Sequence, residues 1–468
     1  MELTLEKLVS LCKRRGFVYP TSEIYGGLAN SYDYGPLGVA LLRQIKALWW
    51  SEFIEKRTDM VGLDSQIILH PETWVASGHV GAFFDPLVED KVNKKRYRAD
   101  HLIEAWLKKQ NTKEFESLVV EDLSMEDMAK FIAEYKIKSP DGNELTPPKK
   151  FDLLFETELG SISGEKNKAY LRGETAQGIF SNFKNILDST RLKLPFGVGQ
   201  IGKSFRNEVT KGQFVFRTFE FEQAEIEYFF NPEESEWQEL LDEWKNLMWK
   251  FLINHLGITE SKLRWRRHTD KERSHYSNDT YDLDYEFPFG WKELWGVAYR
   301  TDYDLKQHAK HSGKNLTYRD PVTNKELVPH VIEPAVGINR LFLMVLADSY
   351  REENDRIYLK LSPALAPYKV AVFPLLANKE ELVAKARKVF EQLSNTLRTY
   401  WDDRGNIGKR YRYQDEMGTP FCVTVDFETL DTETVTVRDR DTMTQERVNI
   451  QNLISYLQDK INGKIESQ

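Results

Sequence analysis

The most informative segment for the fold is residues 205–230, FRNEVTKGQFVFRTFEFEQAEIEYFF. Aromatic and charged residues alternate along much of this stretch, which is typical of β-strands with two different faces. Lys211-Gly212 fits a turn, so the stretch predicts two antiparallel strands joined by a loop. Arg206 and Glu208 are two residues apart in the first strand, and we expect them to share one face.

The second strand carries a mixed set of side chains on a single face. Phe221, Gln223 and Glu225 alternate there with Glu220 and Glu222 on the other face. Phe221 and Glu225 lie about 13 Å apart along a strand, roughly the distance from an adenine ring to the far side of an activated small substrate. The alternative is an ordinary half-buried sheet, in which the Arg and Glu side chains form cross-strand ion pairs.

A second candidate segment follows at residues 330–350, HVIEPAVGINRLFLMVLADSY. We expect a strand that ends at Glu333-Pro334 and a turn of small residues, where Gly337 allows close backbone approach. Arg340 then opens a long apolar helix, although the first turn of a helix favours anions. A bound phosphate would resolve this conflict; the alternative is a surface arginine that points away.

The regions before this core divide into two parts. Residues 1–84 carry an amphipathic helix signal at the start and a second helical pattern over 37–54, which follows Gly35-Pro36. Residues 86–148 are charged and helical, and they read as an exposed insertion. Strand character returns over 149–346, and a helix from about residue 233 to residue 256 interrupts it.

The C-terminal part differs again in pattern. Beyond Leu361 a linker-like SPALAP is followed by buried strands such as YKVAVFPLL, by amphipathic helices and by a hairpin near Arg440 to Thr442. Strands that alternate with helices over about 100 residues predict a separate α/β domain.

The length, composition and charge of the chain limit the classes of protein to which it can belong. A chain of 468 residues is expected to form two or three domains, and 29% charged with 41% hydrophobic residues is an ordinary globular composition. No apolar run approaches the roughly 20 residues of a membrane span, and the start lacks a secretory signal. Cys12 and Cys422 cannot form a disulfide framework, so a cytoplasmic location is expected. The net charge of -8 gives no general indication of nucleic-acid binding.

These residues resemble a class II aminoacyl-tRNA synthetase. Arg206 and Glu208 match the strand–loop–strand motif 2 of that class, the segment from Gly337 to Arg340 matches motif 3, and YDYGPLGVALLRQIKALWW matches motif 1. The resemblance is closest to glycyl-tRNA synthetase of the single-chain, homodimeric type, and it covers nearly the whole chain, weakest over 110–150. The stretches that carry it are EIYGGLANSYDYGPLG, PETWVASGH, RADHLIE, ETAQGIF, LPFGVGQIGKSFRNE, HYSNDTYDLDYEFPFGWKELWG and GTPFCVTVDFET.

The resemblance implies an α+β catalytic domain with an antiparallel sheet flanked by helices, a helical insertion and a C-terminal α/β anticodon-binding domain. The expected boundaries are 1–85 with 149–360 for the catalytic domain, 86–148 for the insertion and 365–468 for the anticodon-binding domain. It further implies ligation of glycine to tRNA(Gly) through a glycyl-adenylate, with ATP and Mg²⁺, in a homodimer built through motif 1.

The resemblance also assigns site residues. Arg206 would hold the α-phosphate and the glycine carboxylate, Glu208 would accept from the adenine amino group, and Phe221 and Arg340 would enclose adenine. Glu293 would bind magnesium. Catalytic roles are thus implied for Arg206, Glu208 and Arg340. The remaining ATP-binding residues would be Asn207, Phe216, Arg217, Leu294 and Gly337. The glycine site would comprise Arg98, Glu174, Phe221, Gln223, Glu225, Glu333, Ala335 and Gly337.

Basic and histidine residues outside these motifs are ambiguous. Lys409, Arg410 and Arg412, interleaved with Tyr411 and Tyr413, could bind anticodon phosphates and stack on bases, or they could form a solvated charged strand. The group Arg264, Arg266 and Arg267 has the same two interpretations. His79 and His275 are singled out only by the resemblance.

The chain departs from the family pattern at three positions. Ala335 stands where the family usually has Ser, Gly173 where it has Pro, and Phe219 where it has Arg. A lost hydroxyl contact to the ammonium would weaken glycine binding by about 1.5–3 kcal/mol. LVEDKVNKKRYRAD lacks the cysteine pairs of some members, so no structural zinc is predicted.

Three alternatives differ in chemistry. A synthetase-like non-catalytic subunit that binds RNA or protein should have lost the phosphate-binding arginines, which are present here. A synthetase for another small amino acid, such as alanine, is suggested by Ala335 but opposed by Glu174 and Glu225. An adenylating ligase without a tRNA partner is disfavoured by the C-terminal α/β domain.

Overall fold

The structure is a computed structural model that describes residues 3–110, 120, 123–160, 167–208, 213–269, 277–353 and 356–463. The predicted turn at Lys211-Gly212 and the candidate His275 lie outside the described residues.

The helices and strands follow one another in four groups. The first holds α1 Leu5–Arg15, β1 Val18–Pro20, β2 Tyr32–Tyr34, α2 Pro36–Trp50, β3 Met60–Gly62, α3 Pro71–Ala76 and α4 His79–Ala82. The second holds β4 Phe84–Glu89, β5 Arg96–Arg98, α5 Ala99–Gln110, α6 Met125–Glu134 and β6 Lys149–Asp152. The third holds β7 Glu156–Leu159, β8 Asn167–Tyr170, α7 Ala176–Ser189, β9 Phe196–Phe205, β10 Glu220–Phe230, α8 Trp237–Lys250, β11 Leu263–Arg267, β12 Asp279–Phe287, β13 Gly290–Thr301, α9 Tyr303–Ser312, β14 Tyr318–Arg319, β15 Glu326–Leu327, β16 His330–Gly337, α10 Ile338–Ser349, β17 Tyr350–Glu353 and β18 Arg356–Leu359. The fourth holds β19 Val370–Pro374, α11 Glu380–Ser394, β20 Thr399–Trp401, α12 Ile407–Met417, β21 Phe421–Val425, α13 Phe427–Thr432, β22 Thr434–Asp439, β23 Gln445–Asn449 and α14 Leu453–Ile461.

The two strands predicted within residues 205–230 lie inside the largest sheet. Its order is β11-β12-β13-β16-β10-β9-β3, and every neighbouring pair is antiparallel except β3 with β9. The register of β9 and β10 runs from Glu220 opposite Phe205 to Phe229 opposite Phe196. The predicted antiparallel pair is therefore confirmed, and the mixed α+β architecture with it.

The two faces of β10 explain how the sheet is covered. Ala224, Ile226 and Tyr228 belong to the main core, which the largely buried helix α10 and the apolar side of α2 complete. The opposite face ends at Phe229, which packs with the aromatic residues of α7 in a second core. On the same face of β10 as Phe229, the polar residues Gln223 and Glu225 line a pocket.

The insertion contains more than helices. Strands β5-β4-β6 form a three-stranded sheet beside α5 and α6, around a separate apolar cluster that includes Val88, Ile103 and Ile132. The prediction of a helical insertion is therefore incomplete. Its strands of three to six residues are too short and too charged for alternation to be read with certainty from sequence.

The C-terminal region has the predicted α/β pattern. Its sheet has the order β20-β19-β21-β22-β23, parallel in its first three strands and antiparallel in the rest. The predicted hairpin near Arg440 to Thr442 joins β22 to β23. In the part of the chain that the structure describes, no helix is long and apolar enough to cross a membrane.

Candidate functional site

A pocket of about 320 Å³ lies on the polar face of β10. Strands β10, β12, β13 and β16 supply most of its wall. Its lining residues are Glu174, Arg206, Glu208, Phe216, Arg217, Thr218, Phe221, Gln223, Glu225, His268, Thr280, Asp282, Glu293, Gly296, Val297, Ala298, Glu333, Ala335, Val336, Gly337, Asn339 and Arg340. Most of the residues predicted from the two segments therefore meet in one cavity.

The inner part of the pocket, which we call the acidic end, contains Glu174, Glu225 and Glu333. The Oε2 atom of Glu225 accepts hydrogen bonds from the backbone N–H and the Oγ1 hydroxyl of Thr175, at 3.0 and 2.5 Å. Gln223 Nε2 donates to its other oxygen at 3.0 Å. Burial raises the pKa of Glu225 to about 7, and the charge of Glu174 acts in the same direction.

The other two carboxylates of the acidic end have cationic or polar partners. Burial raises the pKa of Glu333 to about 8, although Arg300 pairs with it. Burial would also raise the pKa of Glu174, but the contact with His79 and further partners outweigh it, and the pKa is lowered. His79 Nε2 lies 3.3 Å from Glu174 Oε2, and Gln177 Nε2 donates to Oε1 at 2.9 Å. The acidic end can therefore hold a small cation.

The outer part, which we call the arginine end, contains Arg206, Arg217 and Arg340. Arg206 Nε donates to the carbonyl oxygen of Gly173 at 3.0 Å, and its guanidinium lies 5.4 Å from the ring centre of Phe221. Arg217 Nη1 is 3.5 Å from Glu208 Oε2. These guanidinium groups lie where an anion could reach them.

Arg340 is held by the wall opposite β10. Its Nη1 donates to both the backbone oxygen and the carboxylate of Glu293 at 3.0 Å, and its guanidinium lies 4.5 Å from the ring centre of Phe216. The charge of Arg340 is the main reason why the pKa of Glu293 is lowered. Arg340 thus faces the pocket, and the interpretation as a surface arginine that points away is wrong.

Two strand boundaries differ from the prediction. Strand β9 ends at Phe205, so Arg206 and Glu208 lie just beyond it rather than on its face. Strand β16 continues through Pro334 to Gly337, and α10 follows without a turn. The strand tolerates Pro334 because the residues next to it still pair with both neighbouring strands. Ala335 lies opposite Glu225 of β10, and Glu333 lies opposite Ala298 of β13.

Three predicted residues are not among the pocket lining. Leu294 is 1% exposed and belongs to the main core, because the alternation of β13 turns its side chain away from Glu293. Asn207 follows Arg206, and its backbone N–H donates to Leu153. Arg98 pairs with Asp85 at 2.9 Å and Asp100 at 2.5 Å at the edge of the insertion.

The basic segment near residue 410 is a helix, not a strand. Residues 407–417 form α12, and Arg410 is 1% exposed, with its guanidinium bound to carbonyl oxygens of Arg404, Asp403 and Gly405. Arg410 therefore holds a loop in place and is not available to phosphate. Lys409 and Arg412 remain exposed on this helix.

The other basic group is paired with acids of the neighbouring strand. Arg264, Arg266 and Arg267 on β11 contact Asp284, Asp282 and Asp279 on β12. These arginines form cross-strand ion pairs, an arrangement that neither interpretation of this group included. His79, also ambiguous in sequence, is a buried neighbour of the acidic end.

Sequence reasoning missed several residues of the site. Asp282 and His268 line the wall near Glu293, and their side chains are 2.8 Å apart. Arg300 is 1% exposed behind the acidic end and binds Asp304 through Nε at 2.9 Å. The only signal for Asp282 was its place in the stretch HYSNDTYDLDYEFPFGWKELWG, whose register across β12 and β13 the sequence does not reveal.

The three departures have distinct surroundings. Gly173 lies so close to Leu154 and Phe83 that a Cβ would approach them to 3.1 and 3.3 Å. Phe219 packs edge-on against Phe155 at 6.1 Å. Ala335 lines the pocket opposite Glu225. Local packing thus accommodates Gly173 and Phe219, whereas Ala335 changes the wall of the pocket.

Known proteins are similar to this chain both in its C-terminal domain and over nearly its whole length. The family model described as anticodon binding domain matches residues 369–460, which places the chain among proteins that carry this domain. Over its length the chain is 50% identical to a glycine–tRNA ligase of Alkaliphilus oremlandii, covering 98% of this chain and 99% of the relative. It is also 51% identical to one of Alkaliphilus metalliredigens, covering 98% of each, and 50% identical to one of Clostridium acetobutylicum, covering 98% and 99%. The chain belongs to the glycine–tRNA ligase family.

Membership in this family confirms the resemblance stated from the sequence, and with it the prediction of an enzyme. A non-catalytic subunit is not favoured, because the similarity extends over 98% of the chain, including both pocket-forming segments.

Proposed function

We propose that the protein ligates glycine to tRNA(Gly) in two steps, through a glycyl-adenylate and then transfer to the 3′-terminal ribose. The observation that carries this proposal is one continuous pocket with a buried acidic end and an arginine end. Such a pocket suits an amino acid with a free ammonium group joined to a nucleotide. The similar proteins are themselves glycine–tRNA ligases.

The acidic end is proposed to bind the ammonium group of glycine. Glu174, Glu225 and Glu333 supply the carboxylates, with Gln223 alongside, and a charge-assisted hydrogen bond is about twice as strong as a neutral one. Ala335 and Gly337 line the adjoining wall on β16. Specificity for the smallest amino acid then comes from exclusion of side chains, because every competitor is larger.

The arginine end is proposed to bind ATP. Arg206 would contact the α-phosphate and the glycine carboxylate together, and Arg340 the γ-phosphate. Glu208 would accept from the adenine amino group while Phe221 stacks on the ring. Phe216, Arg217, Gly337 and the backbone at Asn207 and Leu294 complete this proposed ATP site, and Arg98 is proposed to contact the substrate from the insertion.

The residues present fit a magnesium ion that arrives with ATP. Glu293 and Asp282 are carboxylates on one wall, and Mg²⁺ prefers oxygen ligands from one or two carboxylates together with phosphates. Burial, aided by the charge of Glu293, raises the pKa of Asp282, as expected for two acids that share a region. When bound, the metal would neutralise phosphate charge.

The first chemical step needs no general base from the protein. The glycine carboxylate is itself the nucleophile, so the pocket has to align it with the α-phosphate and stabilise the charge that develops there. Arg206 is suited to both tasks because its guanidinium is fixed by Gly173 and its charge acts both on Glu225 and on Glu293. The roles of Arg206, Glu208 and Arg340 therefore lie in positioning and charge stabilisation.

The wider architecture is part of the same proposal. We propose a class II catalytic domain over 1–85 and 149–360, an insertion over 86–148 and an anticodon-binding domain over 365–468. A homodimer through residues 32–50 and a cytoplasmic location fit a family that acts on tRNA. Lys409 and Arg412, exposed on α12, are candidates for anticodon contacts.

No structural zinc is proposed for the insertion. Asp90 accepts hydrogen bonds from Ser139 Oγ at 2.6 Å and from Asn143 Nδ2 at 3.1 Å, and these side chains tie its two turns together. Stoichiometric zinc in protein purified without added metal, measured by elemental analysis, would contradict this proposal.

One assay series separates the candidate functions. Glycine-dependent exchange of pyrophosphate into ATP should occur, with little exchange for alanine or serine, and the glycyl group should transfer to tRNA(Gly). Exchange with alanine instead would indicate the related synthetase, and exchange without transfer would indicate an adenylating ligase. The absence of exchange with any amino acid would exclude the enzyme as proposed.

A further inference from the structure

Glu227 lies one step deeper than Glu225 on the same face of β10 and is 0% exposed. Neither of its carboxylate oxygens has a hydrogen-bond partner among the residues that the structure describes. Next on this face comes Phe229, which belongs to the aromatic core with α7. The side chain therefore lies between the pocket and the core, where an unpaired charge would be very costly.

The surroundings of Glu227 are mostly acidic. One oxygen from each of Glu225, Glu227 and Glu333 lies within 4.8 Å of the others. Arg300 on β13 and Asp304 on α9 also act on its carboxyl group, the first lowering its pKa and the second raising it. On the β9 side its partner is the apolar Val198. Carboxylates this close in a buried site cannot all be ionised, so at least one proton must be retained.

The hydrogen bonds indicate which carboxyl group retains the proton. Thr175 and Gln223 donate to Glu225, and Arg300 donates to Glu333, and such contacts favour the ionised form. Among the residues that the structure describes, none donates a comparable hydrogen bond to Glu227. A divalent cation is a poorer explanation, because it prefers about six oxygen ligands and would lie beside a guanidinium.

We propose that Glu227 is kept as a neutral carboxylic acid and, in that form, positions Glu225 and Glu333 for the ammonium group. A neutral group at the base of the acidic end removes one like-charge repulsion, so the two other carboxylates can stay close and ionised around a cation. This inference rests on the proposed function for the role of the ammonium, but not for the protonation of Glu227. It names a positioning residue, since Glu227 does not line the pocket.

The first test compares isosteric variants in glycine-dependent exchange. Glu227→Gln mimics the neutral acid and should leave the glycine KM within about twofold of the wild-type value, whereas Glu225→Gln should raise it by about 30-fold. Glu227→Ala should raise it clearly, because the spacing of the neighbouring carboxylates is lost. A rise of about tenfold or more in Glu227→Gln would show that Glu227 acts as an anion and would overturn the proposal.

The second test does not require activity. A buried carboxylic acid gives a carbonyl stretch in the infrared that a carboxylate lacks, and that shifts in D₂O. At about pH 9, above the raised pKa values of Glu225 and Glu333, this band should be present in the wild-type protein and in Glu225→Gln, and missing in Glu227→Gln. A wild-type protein without the band would overturn the proposal. If the band is present but the enzyme is inactive, the proposed function is refuted, whereas the protonation of Glu227 is not.

The third test is a pH profile. Because Glu227 is expected to keep its proton throughout, the glycine KM of Glu227→Gln should follow the same curve as the wild-type KM between about pH 6.5 and about pH 8.5. A displacement of that curve would mean that Glu227 itself titrates in this range, which would contradict the proposal.

Discussion

The acidic end and the arginine end of the pocket differ in burial as well as in charge. Glu225 is 1% exposed, whereas the side chains of Arg340 and Arg217 are 20% and 38% exposed. At the acidic end each carboxylate has a fixed hydrogen-bond or ion-pair partner, and burial raises the pKa of Glu225 and of Glu333. At the arginine end, water can screen the charges. The same unit of charge should therefore contribute more to binding at the buried end.

The largest effect is expected from Arg206, whose charge acts on both Glu225 and Glu293. Arg206→Ala should lower kcat/KM for glycine-dependent exchange by about 10²–10³-fold, because one fixed donor to the developing charge is lost. Arg319→Ala, at an exposed position on β14, is the matched control and should leave the rate unchanged. Equal losses in both variants would mean that a general change in charge, not the site, is responsible.

A matched pair of charge removals tests the comparison directly. Glu225→Gln at the acidic end should raise the glycine KM by about 30-fold, while Glu208→Gln at the arginine end should raise the ATP KM by only about fivefold. Both changes conserve shape and remove one negative charge. Steady-state exchange kinetics would measure both KM values. A larger rise in KM at the arginine end than at the acidic end would contradict the expected difference between the two ends.

Restoring a hydroxyl to the acidic end should strengthen it. Ala335→Ser should lower the glycine KM by about tenfold, because a neutral hydroxyl that hydrogen-bonds a charged group contributes about 1.5–3 kcal/mol. Ala298→Ser, on the neighbouring strand of the same pocket, serves as the control for added polarity. An unchanged glycine KM in Ala335→Ser would show that the wall does not contact the ammonium.

The smallest effect concerns stability and pH. The pKa of Glu225 is raised from 4.5 to about 7 by folding, so its contribution to stability is present below pH 4.5 and is lost as the pH rises through about 7. The wild-type Tm should therefore fall relative to that of Glu225→Gln between these values, by several degrees. Calorimetry of both proteins across this range would measure it.

Glycine supplies the control for that experiment. At the upper end of the range, saturating glycine should raise the wild-type Tm more than that of Glu225→Gln, because the ammonium stabilises the ionised carboxylate. A constant Tm difference at all pH values would mean that Glu225 does not titrate on folding in this window.

The predicted site was most accurate where strand alternation alone determines direction. Phe221, Gln223 and Glu225 share the pocket face because a strand has a period of two residues. Prediction was weaker where a side chain depends on neighbours distant in sequence. Asp282 reaches the pocket only through the register of β12 with β13, which contains a bulge between Leu283 and Asp284.

Arg410 illustrates the same limit outside the pocket. Its basic, tyrosine-rich context predicted contact with nucleic acid or solvent, yet three loop carbonyl groups surround it. A guanidinium can satisfy backbone acceptors as well as phosphates, and composition does not distinguish the two. Only the position of α12 against the loop at 403–405 decides it.

The sequence of residues 205–230 was sufficient to predict the antiparallel strand pair and its polar face, because the period of a strand and the charge of a side chain are local properties. The direction in which the pKa of each carboxyl group on that face shifts depends on the tertiary structure. Glu225 and Glu227 are identical residues two positions apart, but Glu225 receives hydrogen bonds from Thr175 and Gln223, whereas Glu227 receives none from the part of the chain that the structure describes. Burial and partners come from distant segments, and they set the charge that each residue carries.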